Sequence, residues 1–233
     1  MIRRRRRSIE KLILVWNSLP FLLRGTVVTL ELTFLLLALG LVVGIPLALA
    51  QVYGRRAVVI FSSIYEQIFR SIAALVLLFL FFFGLSLLGL NISAFFSAIL
   101  ALGLRSSAYK SQIFRGVIQS VREGQMVAAR SVGMSRFQAI GHVILPQALR
   151  LSIPAWSNEY SVVVKDTSLA YAVGVIELVR EGRYIIVRTF EPMLIYVTIA
   201  LIYLVLTYAG NKLLGYLEEK SRIPGFATQQ GKI

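Results

Sequence analysis

Long apolar runs dominate the residue pattern of this chain. Three of them contain no Asp, Glu, Lys or Arg, and they cover residues 32–54, 71–104 and 192–211. A hydrocarbon core of about 30 Å needs about 20 mainly apolar residues in helical form, so each run is long enough to cross a membrane. The middle run is too long for one crossing, and it is interrupted by Gly84, Gly89 and Asn91. We therefore expect two helices there, joined by a tight apolar hairpin.

The full pattern predicts an all-α integral membrane protein with five transmembrane helices. Their predicted ranges are 26–52, 57–83, 92–118, 151–176 and 192–216. The fourth helix carries Glu159, Lys165 and Asp166. A charged side chain near a helix centre costs about 2.5–3.5 kcal/mol on insertion scales, so hydropathy alone predicts this helix only weakly.

The composition agrees with a membrane protein. Of the 233 residues 57% are hydrophobic and 15% are charged, whereas soluble domains are about half apolar and about a quarter charged. The absence of cysteine excludes disulfides and thiolate metal sites. The one histidine, His142, is interpreted as a solvated helix residue. In so apolar a chain, the net charge of +14 indicates basic loops on the cytoplasmic side and no nucleic-acid partner.

Basic residues indicate which side of the membrane faces the cytoplasm. The segment between the third and fourth helices holds four arginines at positions 122, 130, 136 and 150 against the single acid Glu123. We expect this segment, residues 119–150, to lie inside. Five crossings then place the N-terminus outside, which conflicts with the dense basic run Arg3–Arg7.

The N-terminal region allows two interpretations. Residues 11–23 are apolar but too short to span comfortably, and they contain Asn17 and Pro20. We interpret them as an interfacial helix, while a sixth crossing that brings all basic regions to one side is the alternative. The predicted organisation is a basic tail with an interfacial helix (1–25), a transmembrane domain (26–217) and a C-terminal tail (218–233).

The cytoplasmic segment contains the stretch "EGQMVAARSVGMSRF" (Glu123–Phe137), which is poor in bulky apolar residues. Its pattern predicts a first short helix over about 120–132, closed by Gly133 in the left-handed conformation. Ser135 and Gln138 then have the spacing of a capping box, which starts a second helix. In that helix Phe137, Ile140 and Ile144 form one apolar face, and Pro146 is expected to end it.

The segment Glu123–Arg150 resembles the coupling loop of bacterial and archaeal ATP-binding-cassette importers. That loop has the pattern Glu-Ala-Ala, three residues, Gly, nine residues, Ile-x-Leu-Pro, and here Gly133 and Leu145-Pro146 match it. Val127 stands where the pattern has Glu. Further pieces resemble the polar amino-acid permease family, namely "LLRGTVVTLEL" (22–32), "IFRG" (113–116), "QSV" (119–121), "KDTSLA" (165–170) and "RTFEP" (188–192).

The resemblance implies that this segment, here called the coupling segment (residues 119–150), docks into a groove on a separate cytosolic ATPase. The residues expected to carry the coupling are Glu123, Gly124, Ala128, Ala129, Arg130, Gly133, Ser135, Arg136, Leu145 and Pro146. It also implies a second permease subunit, identical or homologous, and an extracellular solute-binding protein. The assembly is expected in a prokaryotic cell membrane.

The chain itself is not expected to be an enzyme. A phosphate-binding loop of the type Gly-x-x-x-x-Gly-Lys-Ser/Thr is absent from its sequence. The nearest string, "GFATQQGK" (225–232), has the wrong spacing and no Ser or Thr after its lysine. ATP and magnesium are therefore expected on the partner ATPase, with no cofactor in this chain.

Ionisable residues at membrane depth indicate a substrate site. The resemblance implies that Phe69-Arg70 and Asn158-Glu159 line the central site, and we include Asp166 with them. A guanidinium such as that of Arg70 suits an amino-acid carboxylate, and an acid at position 159 predicts a basic substrate side chain.

The alternative for these charges is that Arg70 and Glu159 form a structural salt bridge with each other, or with Asp166 and Lys165. Lys165-Asp166 is interpreted as mainly structural. The sequence thus predicts the membrane-spanning subunit of an ATP-driven importer of polar, preferably basic, amino acids that works by alternating access. The alternative class is an ion-gradient-driven transporter or channel, in which Glu159 and Asp166 carry protons.

Overall fold

The computed structural model describes residues 2–121 and 123–221, and all regular structure in these two ranges is helical. The helices are α1 (Ile2–Tyr53), α2 (Arg56–Ser71), α3 (Ala74–Phe79), α4 (Leu85–Leu87), α5 (Ala94–Ser120), α6 (Glu123–Ser131), α7 (Arg136–Ala139), α8 (Leu145–Leu151), α9 (Ile153–Asp166), α10 (Leu178–Thr189) and α11 (Pro192–Ser221). Wider π-type turns occupy Leu80–Gly84 and Ile140–Ile144, and a 3₁₀ segment follows α9 at Thr167–Val173. The predicted all-α architecture is confirmed.

Two helices in the described part of the chain are long and apolar enough to cross a membrane by themselves, at Glu10–Tyr53 and Pro192–Lys220. A third candidate is the pair Arg56–Ser71 and Ala74–Leu87, which is bent by 104°. Helix α5 has 27 residues, but its basic residues lower its hydropathy. The five predicted crossings therefore correspond to helical segments of unequal character, and among the described residues only the first and the last lie in single helices that are long and apolar enough to cross a membrane.

The N-terminal region differs from the predicted separate interfacial helix. Residues 11–23 continue without a break into α1, which has 52 residues and contains both Pro20 and Pro46. At 1.5 Å per residue such a helix is about 78 Å long, more than twice the thickness of a hydrocarbon core. Asn17 and Ser18 precede Pro20, but the helix continues through all three residues, so the missing N–H of one proline does not end it.

The two ends of α1 lie at opposite ends of the bundle. The Lys11 ammonium is 3.1 Å from the Glu191 carboxylate, just before α11. The Tyr53 ring at the other end lies under the guanidinium of Arg136 in the coupling segment, with 5.3 Å between the Cζ atom and the ring centroid. The beginning of α1 is thus on the side opposite the coupling segment, as the five-helix topology requires. Of the predicted C-terminal tail (218–233), residues 222–233 lie outside the described residues.

Close packing of α1 against α5 forms the centre of the bundle. A Cβ atom at Gly40 would lie 2.8 Å from the Lys110 Nζ atom, and a Cβ atom at Gly44 would lie 2.9 Å from the Lys110 Cβ atom. The two glycines therefore form a slot on α1 that admits the Lys110 side chain. Small residues at such positions let helices approach closely in membranes.

The coupling segment begins as the sequence predicts. Gly133 has φ of 89°, and the Met134 N–H donates to the Ala129 carbonyl, so α6 ends in a glycine cap. The Ser135 Oγ atom accepts from the Gln138 N–H while the Gln138 side chain accepts from the Ser135 N–H, which confirms the capping box.

Pro146 does not end the second helix of the coupling segment, so this prediction is wrong. The chain passes through the wide π turn Ile140–Ile144 and continues as α8 with Pro146 in its first turn. The wider turn removes the demand for the missing Pro N–H and relieves the clash of the ring with the preceding turn.

Candidate functional site

A cavity of about 250 Å³ lies between α1, α5 and α9, and we call it the central cavity. Its lining consists of Leu36, Leu102, Arg105, Ser106, Tyr109, Asn158, Glu159, Val162, Val163 and Asp166. Three of the four predicted substrate-binding residues, Asn158, Glu159 and Asp166, are therefore brought together. They share α9, where positions 159 and 166 are about two turns apart and so lie on one face.

Glu159 is buried, and its charge is balanced by a lysine from α5. The Lys110 Nζ atom lies 3.6 Å from the Glu159 Oε1 atom. The Ser106 hydroxyl joins the two groups, because it donates to Glu159 Oε1 at 2.9 Å and accepts from Lys110 Nζ at 2.6 Å. A buried charge is unfavourable without such partners, and Lys110 and Ser106 supply them to the Glu159 carboxylate.

Asp166 forms the second ion pair of the central cavity. The Arg105 Nη1 atom donates to the Asp166 Oδ2 atom at 2.8 Å, and the Arg105 Nη2 atom donates to the Tyr109 hydroxyl at 3.3 Å. The Arg105 Nε atom is buried and has no hydrogen-bond partner within the ranges that the structure describes. One N–H donor of this guanidinium is thus unsatisfied within the described part of the chain.

Arg70, the fourth predicted substrate-binding residue, lies outside the central cavity. Its Nη1 atom is 3.1 Å from Glu66 Oε1. Glu66 also accepts from the Gln51 amide at 2.8 Å, and it lies 3.8 Å from Arg115 Nη1. This Glu66 cluster borders a separate polar cavity of about 410 Å³ lined by Ser63, Glu66, Gln67, Arg70, Ser71 and Arg115.

The alternative ion pairs drawn from the sequence are not those in the structure. Arg70 pairs with Glu66, Glu159 pairs with Lys110, and Asp166 pairs with Arg105. A direct pair between Arg70 and Glu159, or between these residues and Lys165-Asp166, is absent from the described residues. Glu159 and Asp166 instead have basic partners, Lys110 and Arg105, that the sequence-based interpretation did not consider.

Tyr109 connects the Glu66 cluster with the central cavity. The Arg70 Cζ atom lies 5.2 Å from the centroid of its ring, and the Arg105 Cζ atom lies 5.0 Å from the same point. Both distances are in the range of cation–π attraction. Arg70 therefore reaches the cavity through an aromatic ring and not through a hydrogen bond to the other predicted site residues.

Sequence reasoning missed the residues that α5 supplies, Arg105, Ser106, Tyr109 and Lys110. They fall inside the predicted third span, where an ionisable residue is as informative as in the fourth. Their spacing was also a signal. Arg105 with Tyr109 and Ser106 with Lys110 are each four positions apart, which places each pair on one helix face.

A second, apolar groove of about 600 Å³ reaches the same ion pair from the other side of α9. Its walls come from α1, α9 and α11, with Lys110 contributed by α5. Its lining comprises Phe34, Leu37, Ala38, Leu41, Val42, Lys110, Trp156, Glu159, Tyr160, Gly210, Leu213 and Leu214. Glu159 thus lines both this groove and the central cavity, whereas Lys110 lines the groove and not the central cavity.

The coupling segment exposes large apolar side chains. Val127 is 63% exposed, Val132 is 76% exposed and Phe137 is 86% exposed. Val127, which replaces the Glu of the importer pattern, belongs to this surface. Arg130 closes α6 by donating to the Met134 carbonyl at 3.1 Å. The side chain of Glu123 lies outside the described residues.

The coupling segment is firmly attached to the bundle. Ile144 and Ala148 are buried in one cluster with Phe114 and Ile118 of α5 and with Ala48 of α1. The cluster sits close to the end of α5, the helix that also carries Arg105 and Lys110.

Comparison with known proteins relates the chain to a transporter family. Residues 3–223 match the family of the binding-protein-dependent transport system inner membrane component. The nopaline transport system permease protein NocM of Agrobacterium fabrum is 39% identical over 210 residues, with 86% of this chain and 87% of that protein covered. The glutamine transport system permease protein GlnP of Escherichia coli is 32% identical, with 90% and 96% covered.

A solved structure has the same fold. The crystal structure of an amino acid ABC transporter with histidines contains a chain that superposes with a TM-score of 0.81 and 35% identity. The superposition covers 88% of this chain and 96% of that chain.

Proposed function

Because this chain belongs to the family of binding-protein-dependent transport system inner membrane components, we propose that it is the membrane-spanning subunit of an ATP-driven importer of polar amino acids in a prokaryotic cell membrane. Relatives named for the transport of nopaline and of glutamine support this class of substrate. The observation that carries the proposal is the central cavity, which is lined by two acids, Glu159 and Asp166, and one base, Arg105. The buried Lys110 ammonium lies beside the Glu159 carboxylate.

The charge balance of the central cavity suits a zwitterion. An α-carboxylate is bound best by a guanidinium, and Arg105 has a buried N–H without a partner among the described residues. An α-ammonium group is bound by a carboxylate, and Asp166 lies 2.8 Å from the same guanidinium. A zwitterion inserted between Arg105 and Asp166 would exchange one ion pair for two of the same kind, so no charge is left unpaired.

The prediction of a basic substrate depends on the acid at position 159. The Lys110 ammonium already lies beside that carboxylate. A basic side chain therefore has to replace Lys110, whereas an uncharged polar side chain does not. The broader class of polar amino acids is for this reason the substrate class that we propose.

Alternating access requires that motion at the ATPase reaches this cavity. The exposed Val127, Val132 and Phe137 suit insertion into a groove of a cytosolic ATP-binding subunit. Since the coupling segment packs on Phe114 and Ile118, a displacement of this segment should tilt α5. Helix α5 carries Arg105 of the cavity lining and Lys110, the partner of Glu159. A second permease subunit and an external solute-binding protein complete the proposed assembly.

Reconstitution tests the proposal. The complex purified through a tag on this chain is placed in liposomes, and uptake of radiolabelled amino acids is measured with and without ATP on the cytoplasmic side. We expect uptake only with ATP. Accumulation by this chain alone under a proton or sodium gradient would overturn the proposal in favour of an ion-driven transporter.

A surface variant tests the coupling route in the same assay. Phe137→Ala should lower ATP-dependent uptake by about tenfold or more, because a buried aromatic anchor at an interface contributes about 2 kcal/mol or more. Phe96→Ala, which removes an exposed aromatic side chain from the far end of α5, is the matched control and should transport like the wild type. Equal uptake by both variants would contradict docking through Phe137.

A further inference from the structure

The Lys110 side chain is buried in a slot that fits it, and apolar packing alone does not explain the burial of its ammonium group. Only 2% of its surface is exposed, and it is among the largest fully buried side chains in the described residues. Gly40 and Gly44 of α1 leave the space that it fills. Burial of a lysine is unfavourable unless its ammonium is paired, and its partners here are the Ser106 hydroxyl and the Glu159 carboxylate.

We propose that Lys110, which lies behind Glu159 and outside the lining of the central cavity, is a resident counter-ion that determines through Glu159 which substrate side chains this cavity accepts. This inference rests on the proposed function, because it assigns the substrate class of the same site. Lys110 neutralises Glu159 and excludes cationic side chains, so that the site selects amino acids with an uncharged polar side chain. An amide or hydroxyl can bind the Ser106 hydroxyl and the free lone pairs of Glu159 without displacing either charge.

Electrostatics gives the direction of the selectivity. A lysine or arginine side chain at Glu159 would place a second cation next to a buried ammonium, and like charges are strongly unfavourable where water does not screen them. An acidic side chain would face the Glu159 carboxylate with the same result. The remaining pair, Arg105 with Asp166, is neutral as well, so no other group in the lining of this cavity reverses the preference.

The test compares ATPase stimulation of the reconstituted complex by glutamine, asparagine, arginine, lysine and glutamate. The wild type should respond to the amides. Lys110→Met, which keeps the length of the side chain and removes its charge, should raise the response to arginine or lysine relative to glutamine by about tenfold or more. Lys110→Arg keeps the charge and should keep the wild-type profile.

Two further variants keep the inference falsifiable if Lys110→Met does not assemble. Glu159→Gln leaves Lys110 without its counter-charge and should shift the preference toward glutamate by about tenfold. The double variant Lys110→Met with Glu159→Gln is neutral and should return to amides. An unchanged profile in Lys110→Met, or in Glu159→Gln, overturns the inference.

The same experiment distinguishes failure of the proposed function from failure of the inference about Lys110. If no amino acid stimulates the wild-type complex, the proposed function fails. If the wild type responds most strongly to arginine or lysine, the complex is still an amino-acid importer, but Lys110 does not act as the resident counter-ion.

Discussion

The central cavity and the coupling segment show opposite relations between polarity and burial. At the central cavity, charged groups such as Lys110 and Glu159 are buried at membrane depth, and each lies beside an opposite charge. In the coupling segment, apolar side chains such as Phe137 are exposed at the surface. The first arrangement is unfavourable without an internal partner, and the second is unfavourable without an external one. The buried charges of the first region have their partners within the chain. The exposed apolar side chains of the second region indicate a contact with another protein.

The largest expected effect comes from breaking a buried pair. Glu159→Ala should destabilise the folded protein by about 3–5 kcal/mol, because it leaves the Lys110 ammonium buried without a counter-charge. Lys11→Ala removes one partner of the exposed pair with Glu191 and should change the stability by less than about 1 kcal/mol. Thermal unfolding in detergent compares the two variants. Similar shifts would mean that the Glu159 pair is solvated, which would contradict its burial.

Glu177 sharpens the comparison, because it is a fully buried acid that is held by hydrogen bonds instead of by a salt bridge. It lies just beyond the fourth predicted span, accepts from the Val179 and Arg180 N–H groups and lies 3.3 Å from the Tyr203 hydroxyl. Burial raises the pKa of Glu177 from 4.5 to about 7, and these hydrogen bonds offset only part of the rise.

The raised pKa of Glu177 predicts a pH-dependent stability. Between pH 4.5 and about 7 the folded protein holds a proton that the unfolded chain has lost, so stability falls as the pH rises through this window. The loss amounts to about 3 kcal/mol. Thermal unfolding at about pH 5 and about pH 8 should show it in the wild type and much less in Glu177→Gln. Glu31→Gln, at an exposed acid, should keep the wild-type dependence.

The glycine slot gives the next effect in size. Gly40→Ala places a methyl group 2.8 Å from the Lys110 Nζ atom, and overpacking of this kind costs about 1–3 kcal/mol. Gly116→Ala on α5 meets nothing within 4 Å and should leave stability unchanged or raise it by about 0.4–1 kcal/mol. Unfolding temperatures of both variants check this, and a Gly40→Ala protein as stable as the wild type would show that Lys110 is not confined.

The smallest effect is expected in the coupling segment. Ser135→Ala removes one half of the capping box and should destabilise the second coupling helix by about 1 kcal/mol. Because this helix lies at the surface, we expect faster amide hydrogen exchange in residues 135–139 and little change at the central cavity. Exchange that increases equally in α9 would instead mean that the two regions unfold together.

Local features of this molecule were predictable from the sequence, and tertiary ones were not. The Gly133 cap and the Ser135–Gln138 capping box depend on residues within one turn of each other, and both predictions are confirmed. Asn158, Glu159 and Asp166 line one cavity because they lie on one face of a helix. Arg70 was placed with them by analogy, but it lies on another helix, α2, where it pairs with Glu66 and borders a separate polar cavity.

The partners of the acids were missed for a related reason. The charge-free window 71–104 ends one residue before Arg105. Hydropathy therefore predicted the apolar half of α5 as a membrane helix but did not identify its polar half as part of a site. Pro146 was predicted to end a helix because the rule for proline assumes an ordinary α-helical turn, and a π turn precedes it here. The first difference arises because α5 changes from apolar to polar along its length. The second arises because the turn before Pro146 is wider than an α-helical turn.

The bend between α2 and α3 has a consequence for hydration. Ile72 and Ala73 are extended, and neither end of the break has a side-chain cap in the structure. Hydrocarbon cannot satisfy open amide and carbonyl groups, so a break of this kind is stable only against water or other protein. Arg70 and Ser71, immediately before the break, border a polar cavity. We therefore expect water or protein, and not lipid tails, to contact the backbone at this break.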